Sequence, residues 1–263
     1  MHYCWVCIVP PGFVIDLPRE RGSGWLWAKP KSRGGPSTAA GVRWSEEVNI
    51  TTASATRCKR CKVLRPERAH HCRICNKCIL KYDHHCPGVN QCVGLYNERH
   101  FVLFLVYVSI ATFCYAASGW RCVFAALGLS GDDPWPYYSP PVFVIATYVL
   151  SVVMCLAVTI MTSWHIWGIA CGETSVESAD HEQYRQTAKG RGETFVNSYD
   201  LGKRKNLELF FNVGPDGYPL YTLLFPFRIE PYTDGRSWAR RPGYERHSGV
   251  REGEELTDPE DEE

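Results

Sequence analysis

The chain alternates between two long apolar blocks and polar stretches rich in cysteine, glycine or charge. Phe101 to Gly119 contains no charged residue, and Pro141 to Gly172 contains no Asp, Glu, Lys or Arg. Both blocks are long enough to cross the hydrocarbon core of a bilayer as helices. Buried helices of a soluble protein are the alternative, but such helices usually keep a polar face, which these blocks lack. We therefore predict transmembrane helices over 101–120 and 141–171.

The distribution of positive charge predicts how these two helices are oriented. The stretch from Arg57 to Arg99 holds ten Lys or Arg and three acidic residues, whereas the connector over 121–140 has no Lys or Arg after Arg121. Positively charged loops stay on the cytosolic side of a membrane. The stretch before the first helix is therefore predicted to be cytosolic and the connector to be lumenal. The second helix then returns a C-terminal segment, 172–228, to the cytosol.

The remaining segments carry weaker signals. Residues 1–15 are apolar but too short to cross a membrane, and they lack the basic start of a signal peptide. We therefore predict no complete membrane span within residues 1–15. Residues 16–56, rich in Gly, Pro, Ser and Arg, are predicted to be a flexible linker, and 229–263 a disordered acidic tail. No internal repeat is recognised.

Cysteine is the residue type that points to chemistry. Of thirteen cysteines, seven lie between Cys58 and Cys92, together with four histidines. Paired Cys-x-x-Cys spacing among histidines indicates metal ligation in a reducing compartment rather than disulfides. Structural zinc takes four ligands, so two sites would use eight of the eleven candidates. If each site uses one histidine, one cysteine is left without a metal.

Cys86 is the best candidate for the cysteine left over, because it directly follows Asp83, His84 and His85. A thiolate nucleophile needs a base for its proton, and that base needs an orienting acceptor. His84 and Asp83 can supply this pair, while His85 faces the other way toward a metal. The alternative is that Cys86 is itself a ligand in an inert zinc interaction module of the RING or LIM type. The apolar block that begins at Phe101 places the cluster at a membrane surface and favours thioester exchange with a long-chain acyl-CoA.

Four stretches resemble motifs of one family, the DHHC palmitoyltransferases. The stretch from Cys58 to Phe101, including Asn97, resembles the cysteine-rich domain of that family at every Cys and His position. Thr174 to Glu177 resembles the family's Thr-Thr-x-Glu motif, with Ser175 in the second place. The other two matches are 197–206, which resembles the C-terminal aromatic and asparagine motif, and 11–12, which resembles the Pro-Gly of the family's Asp-Pro-Gly turn.

The resemblance implies a fold and a set of site residues. The fold is a membrane α-helical bundle with a small cytosolic cysteine-rich domain over 57–100, built of short strands and loops around two structural zinc ions. One zinc would be held by Cys58, Cys61, His71 and Cys78, and the other by Cys72, Cys75, His85 and Cys92. Asp83, His84 and Cys86 would be the orienting acid, the base and the acylated nucleophile. Arg65 and Arg68 correspond to basic positions near the phosphates of CoA, although a basic surface facing anionic lipid explains them equally well.

The resemblance also implies an activity. We expect a protein S-acyltransferase that moves palmitate from palmitoyl-CoA through acyl-Cys86 to juxtamembrane or lipid-adjacent cysteines of target proteins. The expected location is the endomembrane system (ER, Golgi or vacuole), with no nucleic-acid partner. Gly88 replaces the family's usual Trp and Gln91 a usual Asn. Family members usually have four spans, with the zinc domain between the second and the third. The resemblance therefore implies that residues 1–15 are the remnant of an upstream membrane span, and that the chain is an N-terminally incomplete product or a degenerate family member. A catalytically impaired zinc adaptor, produced by the truncation and by Gly88, is the main alternative, and a membrane-anchored ubiquitin ligase is a weaker one.

Overall fold

The computed structural model describes residues 1–16, 26–28, 38–39, 42–43, 49–52, 55–129, 135–215, 217–251 and 254. Most of the predicted linker 16–56, part of the predicted connector 121–140 and the end of the predicted tail lie outside these residues. The described chain divides into two compact units, one formed by Met1–Phe101 with Trp167–Glu263 and the other by Val102–Ile166.

Five helices and ten short strands make up the described chain. The helices are α1 His2–Ile8, α2 Glu98–Ala126, α3 Pro141–Ala170, α4 Ser175–Gly190 and α5 Lys203–Phe211, followed by a 3₁₀ turn at Leu220–Leu223. The strands are β1 Thr38–Ala39, β2 Val42–Arg43, β3 Asn49–Thr52, β4 Ala55–Arg57, β5 Leu64–Pro66, β6 His70–Cys72, β7 Lys77–Ile79, β8 His84–Cys86, β9 Gln91–Val93 and β10 Ser237–Arg240. All of the strands form two-stranded antiparallel pairs.

The second unit consists of the apolar parts of α2 and α3. Both helices are long and apolar enough to cross a membrane, and large side chains such as Phe113, Leu156 and Ile160 are exposed along them. Exposed apolar surface of this extent is costly in water and suits a lipid environment. The predicted class, a membrane α-helical protein with a small cysteine-rich domain of short strands, is confirmed, and the chain is an integral membrane protein.

A few polar side chains connect the two apolar helices. The Tyr115 hydroxyl lies 3.2 Å from Thr147 Oγ1, and the Tyr148 hydroxyl donates to the Ala116 carbonyl at 3.1 Å. The Ser151 hydroxyl donates to the backbone of α2 at 3.3 Å. Between helices that lie in lipid, such hydrogen bonds help association because hydrocarbon offers no competing partner.

The core of the first unit surrounds the cysteine-rich strands. The segment after α1 packs against them, since the Tyr96 amide donates to the Pro11 carbonyl at 3.1 Å and the Leu80 amide to the Gly12 carbonyl at 2.9 Å. Gly12 has φ +100°, and a Cβ there would lie 2.6 Å from the Tyr96 ring. Only glycine fits such a position. This explains the Pro-Gly pair that the sequence analysis singled out.

The predicted disordered tail needs a correction in its first part. Within 229–263, Ser237–Arg240 forms β10 and pairs antiparallel with β3, with Trp238 opposite Thr51. Trp238 is fully buried. The acidic composition of the last residues of the chain does not extend to this stretch, which instead supplies an aromatic side chain to the core.

Candidate active site and metal centres

Three successive hairpins of the same design build the cysteine-rich domain. They are β4–β5, β6–β7 and β8–β9, with turns at 59–62, 73–76 and 87–90. The last residue of each turn has a left-handed backbone, with φ of 57° at Lys62 and 52° at both Asn76 and Asn90. Cys58, Cys72 and Cys86 immediately precede the three turns at equal intervals along the chain. The domain therefore contains an internal repeat that the sequence analysis did not recognise.

The alternation of side chains along these short strands separates the metal ligands into two sets. Successive residues of a strand point to opposite faces. His71 is paired across the ladder with Cys78, and both belong to one cluster, whereas the next residue, Cys72, belongs to the other. In the third hairpin His85 is paired with Cys92 in the same way. Each cluster thus takes its Cys-x-x-Cys pair from one hairpin and its His and Cys from the following hairpin.

The structure brings each predicted set of four ligands together. In the first set, His71 Nδ1 lies 3.7 Å from Cys58 Sγ, 3.2 Å from Cys61 Sγ and 3.8 Å from Cys78 Sγ. In the second set, His85 Nδ1 lies 3.7 Å from Cys72 Sγ, 3.4 Å from Cys75 Sγ and 3.6 Å from Cys92 Sγ. Within each set all four ligand atoms lie within 4.8 Å of one another.

Both clusters fit zinc. Ligands about 2.0 to 2.3 Å from a tetrahedral Zn²⁺ lie roughly 3.5 to 3.8 Å apart, which is close to the sulfur–nitrogen separations in both sets. The Cys61 and Cys75 amides each donate to the sulfur of the first cysteine of their pair at 3.4 Å. Burial and neighbouring cysteine sulfurs raise the pKa of the Cys78 and Cys92 thiols, so deprotonation of these side chains calls for a bound cation.

Cys86 lies outside both clusters, although it occupies the same place in its hairpin as Cys58 and Cys72. In the first two hairpins the partner cysteine is the third residue of the turn, and in the third hairpin that residue is Val89. Among the described residues Cys86 joins neither four-ligand set, and its side chain is partly exposed. The repeat explains why this thiol lies outside the metal clusters. The third hairpin has the first cysteine of a metal-binding turn, Cys86, but Val89 in place of the second, so the turn cannot supply a Cys-x-x-Cys pair.

His84 and Asp83 form a pair beside this thiol. His84 is two residues before Cys86 on β8, so both side chains are on the face opposite to His85. His84 Nδ1 lies 2.6 Å from Asp83 Oδ2, and the Phe101 ring packs edge-on against the imidazole at 5.1 Å. Because Nδ1 contacts the carboxylate, Nε2 is the ring nitrogen that would take a proton from a thiol.

Asp83 is in turn held by the motif that follows the second apolar helix. Its Oδ1 accepts the Ser175 backbone N–H at 2.7 Å, at the first turn of α4. Thr174 and Glu177 form a capping box at that end of the helix, which fixes the direction of the first N–H groups. The serine in the second place of the motif acts here through its backbone, so the change from threonine leaves this contact intact.

Arg68 is bound to the same end of α4. Its guanidinium donates to Glu177 Oε1 at 2.5 Å and to Oε2 at 2.6 Å, and to the Gly172 carbonyl at 3.1 Å. Both side chains of the ion pair are nearly inaccessible, with 5% and 9% exposure. Burial opposes ionisation of Glu177, but the Arg68 guanidinium outweighs it and lowers the pKa of this carboxyl to about 2.

Gly88 and Gln91, two further departures from the family pattern, both lie near Cys86. A Cβ added at Gly88 would lie 3.7 Å from Cys86 Sγ, so glycine leaves open the space beside the sulfur. The Gln91 amide donates to the Val6 carbonyl and, at 3.3 Å, to the Val9 carbonyl. Gln91 thereby fastens the end of α1 to the hairpin that carries Cys86.

A cavity borders Arg68. Cationic or titratable side chains in its lining include Arg65, Arg68, His70, His181 and His247, and the acidic ones are Glu67, Asp180 and Glu177. The Arg65 side chain is itself buried and donates to Thr56 Oγ1 at 3.4 Å. The two arginines that the sequence analysis assigned to CoA thus line one cavity, although two nitrogens of Arg68 are already engaged by Glu177 and Gly172.

Comparison with known proteins gives a consistent result. The family described as DHHC palmitoyltransferase matches residues 51–182. Palmitoyltransferase ZDHHC16 of Mus musculus is 33% identical over 204 residues, which cover 74% of this chain and 56% of the relative. Palmitoyltransferase PFA3 of Gibberella zeae is 40% identical over 187 residues, covering 70% of this chain and 31% of the relative. The matched part of the chain therefore spans 31% to 56% of the length of these curated relatives.

Proposed function

Because the chain belongs to the DHHC palmitoyltransferase family, we propose that it is a protein S-acyltransferase in which Cys86 carries the acyl group. The observation that supports this most directly is the position of Cys86. It is a partly exposed thiol that belongs to neither four-ligand cluster of the described residues, and it lies on the same strand face as an imidazole held by a carboxylate at 2.6 Å. This is the arrangement that nucleophilic catalysis by cysteine requires.

The first half of the reaction loads Cys86. His84 Nε2 takes the proton of the Cys86 thiol, and the thiolate attacks the thioester carbonyl of a long-chain acyl-CoA such as palmitoyl-CoA. The new carbon–sulfur bond forms as the bond to the CoA sulfur breaks, and the proton on His84 passes to the departing CoA thiolate. Asp83 holds the imidazole in the tautomer and orientation that this exchange needs, and it stabilises the imidazolium that forms transiently.

The second half transfers the acyl group to a protein. A cysteine thiol of the target loses its proton to His84 and attacks the acyl-Cys86 carbonyl. Cys86 leaves as a thiolate and regains the proton. One thioester replaces another in both halves, so no external energy source is needed. We expect the acceptor cysteines to lie near a membrane, because the donor's acyl chain partitions into lipid.

The two zinc ions would have a structural part in this scheme, since every ligand position in each cluster is filled by the protein. Cys58, Cys61, His71 and Cys78 would hold one ion, and Cys72, Cys75, His85 and Cys92 the other. Two ligands of the second set, His85 and Cys92, are paired across β8 and β9. The hairpin that carries His84 and Cys86 is therefore held rigid by residues on its opposite face.

The CoA head group is a polyanion, and we propose the cavity beside Arg65 and Arg68 as its binding region. Buried cations next to an open cleft attract phosphate more strongly than exposed ones, because less water screens them. We further propose that the zinc domain lies on the cytosolic side of an endomembrane compartment, where acyl-CoA is available. The excess of Lys and Arg before α2 supports that orientation.

The test is covalent labelling of the purified chain. Palmitoyl-CoA with a labelled acyl chain should leave a label on the protein that neutral hydroxylamine removes, because thioesters are cleaved by it. Cys86→Ser should lose this label. Cys171→Ser serves as the matched control, since Cys171 is also partly exposed and outside both clusters, and it should keep the label. Equal labelling of Cys86→Ser and the parent, at equal zinc content, would rule out Cys86 as the carrier and favour an adaptor without catalysis.

A further inference from the structure

The Arg68 guanidinium packs against two aromatic rings that come from the C-terminal part of the chain. Its carbon Cζ is 4.3 Å from the centroid of the Tyr199 ring and 4.6 Å from that of Trp238. Trp238 is fully buried and Tyr199 nearly so, and the two rings meet edge to face at 6.2 Å. A cation held against aromatic faces away from water is strongly attracted to them.

This arrangement leaves the guanidinium little freedom to rotate. Two of its nitrogens donate to the Glu177 carboxylate and one also donates to the Gly172 carbonyl. The rings restrict the plane of the group, and the hydrogen bonds restrict its direction within that plane. Trp238 is itself fixed, because β10 pairs along its whole length with β3.

A continuous series of contacts runs from Arg68 to the reacting thiol. Glu177 Oε2 accepts the Thr174 N–H at 2.9 Å, and the next N–H, that of Ser175, donates to Asp83 Oδ1 at 2.7 Å. Asp83 then contacts His84 at 2.6 Å. Each link is a short polar contact, and the Glu177 and Asp83 side chains are only 9% and 10% exposed, so a shift of Arg68 can be passed on to the Asp83 carboxylate.

We infer that Trp238 is a positioning residue for the acyl transfer proposed above, acting through Arg68, Glu177 and the start of α4 on Asp83. Trp238 and Tyr199 lie outside the residues that match the family, 51–182. The C-terminal segment of this chain therefore contributes to the active site without touching the reacting atoms. The expected decrease in the acylation rate rests on the proposed function. The expected decrease in the reactivity of the Cys86 thiol rests only on the contact series.

The experiment measures acylation of Cys86 in single turnover for three variants of the full chain. Trp238→Ala removes the ring, and Trp238→Phe keeps an aromatic face for Arg68. Trp27→Ala is the matched control, since the Trp27 ring also packs against an arginine of the C-terminal segment, Arg228 at 4.5 Å. We expect Trp238→Ala to slow the acylation rate constant by about tenfold to 100-fold, since small misplacements cost this much. The labelled fraction, the zinc content and the KM for acyl-CoA should change little.

The other variants separate positioning from folding. Trp238→Phe should restore the rate constant to within about threefold of the parent, and Trp27→Ala should match the parent. In an Arg68→Met background, Trp238→Ala should have no further effect on the rate constant, because the contact series is already broken. A loss of labelled fraction or zinc with an unchanged rate constant would show that Trp238 only stabilises the fold. Additive effects of the two substitutions would also overturn the inference.

A second readout does not depend on acyl transfer. Alkylation of Cys86 by iodoacetamide, followed by mass spectrometry of its peptide, reports how well Asp83 and His84 activate the thiol. Trp238→Ala should slow this alkylation by a similar factor, and Trp27→Ala should not. If the parent shows no acylation but Trp238→Ala still slows alkylation, the proposed function fails and the positioning role stands. Unchanged alkylation in Trp238→Ala contradicts the positioning role whatever the acylation result.

Discussion

Replacing Glu177 by Gln tests whether the buried ion pair with Arg68 supports the fold around the active site. Gln keeps the size of the side chain and an oxygen that can accept the Thr174 N–H, so the helix cap is preserved. The charge is lost, and the Arg68 guanidinium is left buried without its partner. The experiment therefore isolates the electrostatic part of the contact.

The structure sets the expected magnitude. The pKa of Glu177 is lowered from 4.5 to about 2, and each pKa unit corresponds to about 1.4 kcal/mol, which gives roughly 3 kcal/mol. Removing one partner of a buried pair typically costs about 3 to 5 kcal/mol. The two figures agree. Because the folded pKa is depressed, this stabilisation is present above about pH 4.5 and is lost as the pH falls toward 2.

The assay is thermal unfolding at pH 7.5 in detergent, followed by tryptophan fluorescence and by zinc release. About 3 kcal/mol corresponds to a decrease in Tm of roughly 6 to 12 °C for a unit of this size. Glu208→Gln is the control, since Glu208 pairs with Arg204 at 2.9 Å but that arginine is 90% exposed. Exposed pairs contribute about 0 to 1 kcal/mol, so this variant should shift Tm by less than about 3 °C. Equal Tm values for the two variants would refute the reasoning.

Two further predictions concern the metal and the pH. Elemental analysis should find two zinc ions per chain in the parent and in Cys86→Ala, but fewer in Cys72→Ala; loss of zinc in Cys86→Ala would make Cys86 a ligand. His247 Nδ1 accepts the Ser198 N–H at 3.1 Å, and burial lowers the pKa of this imidazole to about 3. Below about pH 6.5 the unfolded chain binds a proton at His247 that the folded chain does not bind. This difference lowers the free energy of unfolding by roughly 2 kcal/mol at pH 5. Between pH 7.5 and 5, the Tm of the parent should therefore fall by about 4 to 8 °C more than the Tm of His247→Gln. An equal fall in the two proteins would contradict this account.

The cysteine-rich domain shows how much can be predicted from residues that lie close together in sequence. The two Cys/His groups that the structure forms are those that the family resemblance implied, and the acyl-carrier role of Cys86 stays a prediction. The structure adds why the ligand sets interleave: His71 and Cys72 are neighbours on one strand and face opposite ways. It also shows that Val89 stands where the first two hairpins have a cysteine. The repeat is present in the residues as well: the stretches 70–79 and 84–93 share two histidines, two cysteines and an asparagine at a spacing of 14 residues.

The two apolar helices, the Cys/His cluster and the Asp-His pair before Cys86 could be predicted from the amino-acid sequence, because each consists of residues that are close together in the chain. The contacts that support them become evident only in the folded chain. Arg68 and Glu177 are far apart in sequence, yet they form a buried ion pair, and the ring that covers Arg68 comes from β10, in a stretch whose flanking acidic composition suggested disorder. Burial creates these long-range contacts, because a charge leaves water only where the fold supplies a partner. Local composition does not predict that partner, because it comes from a distant part of the sequence.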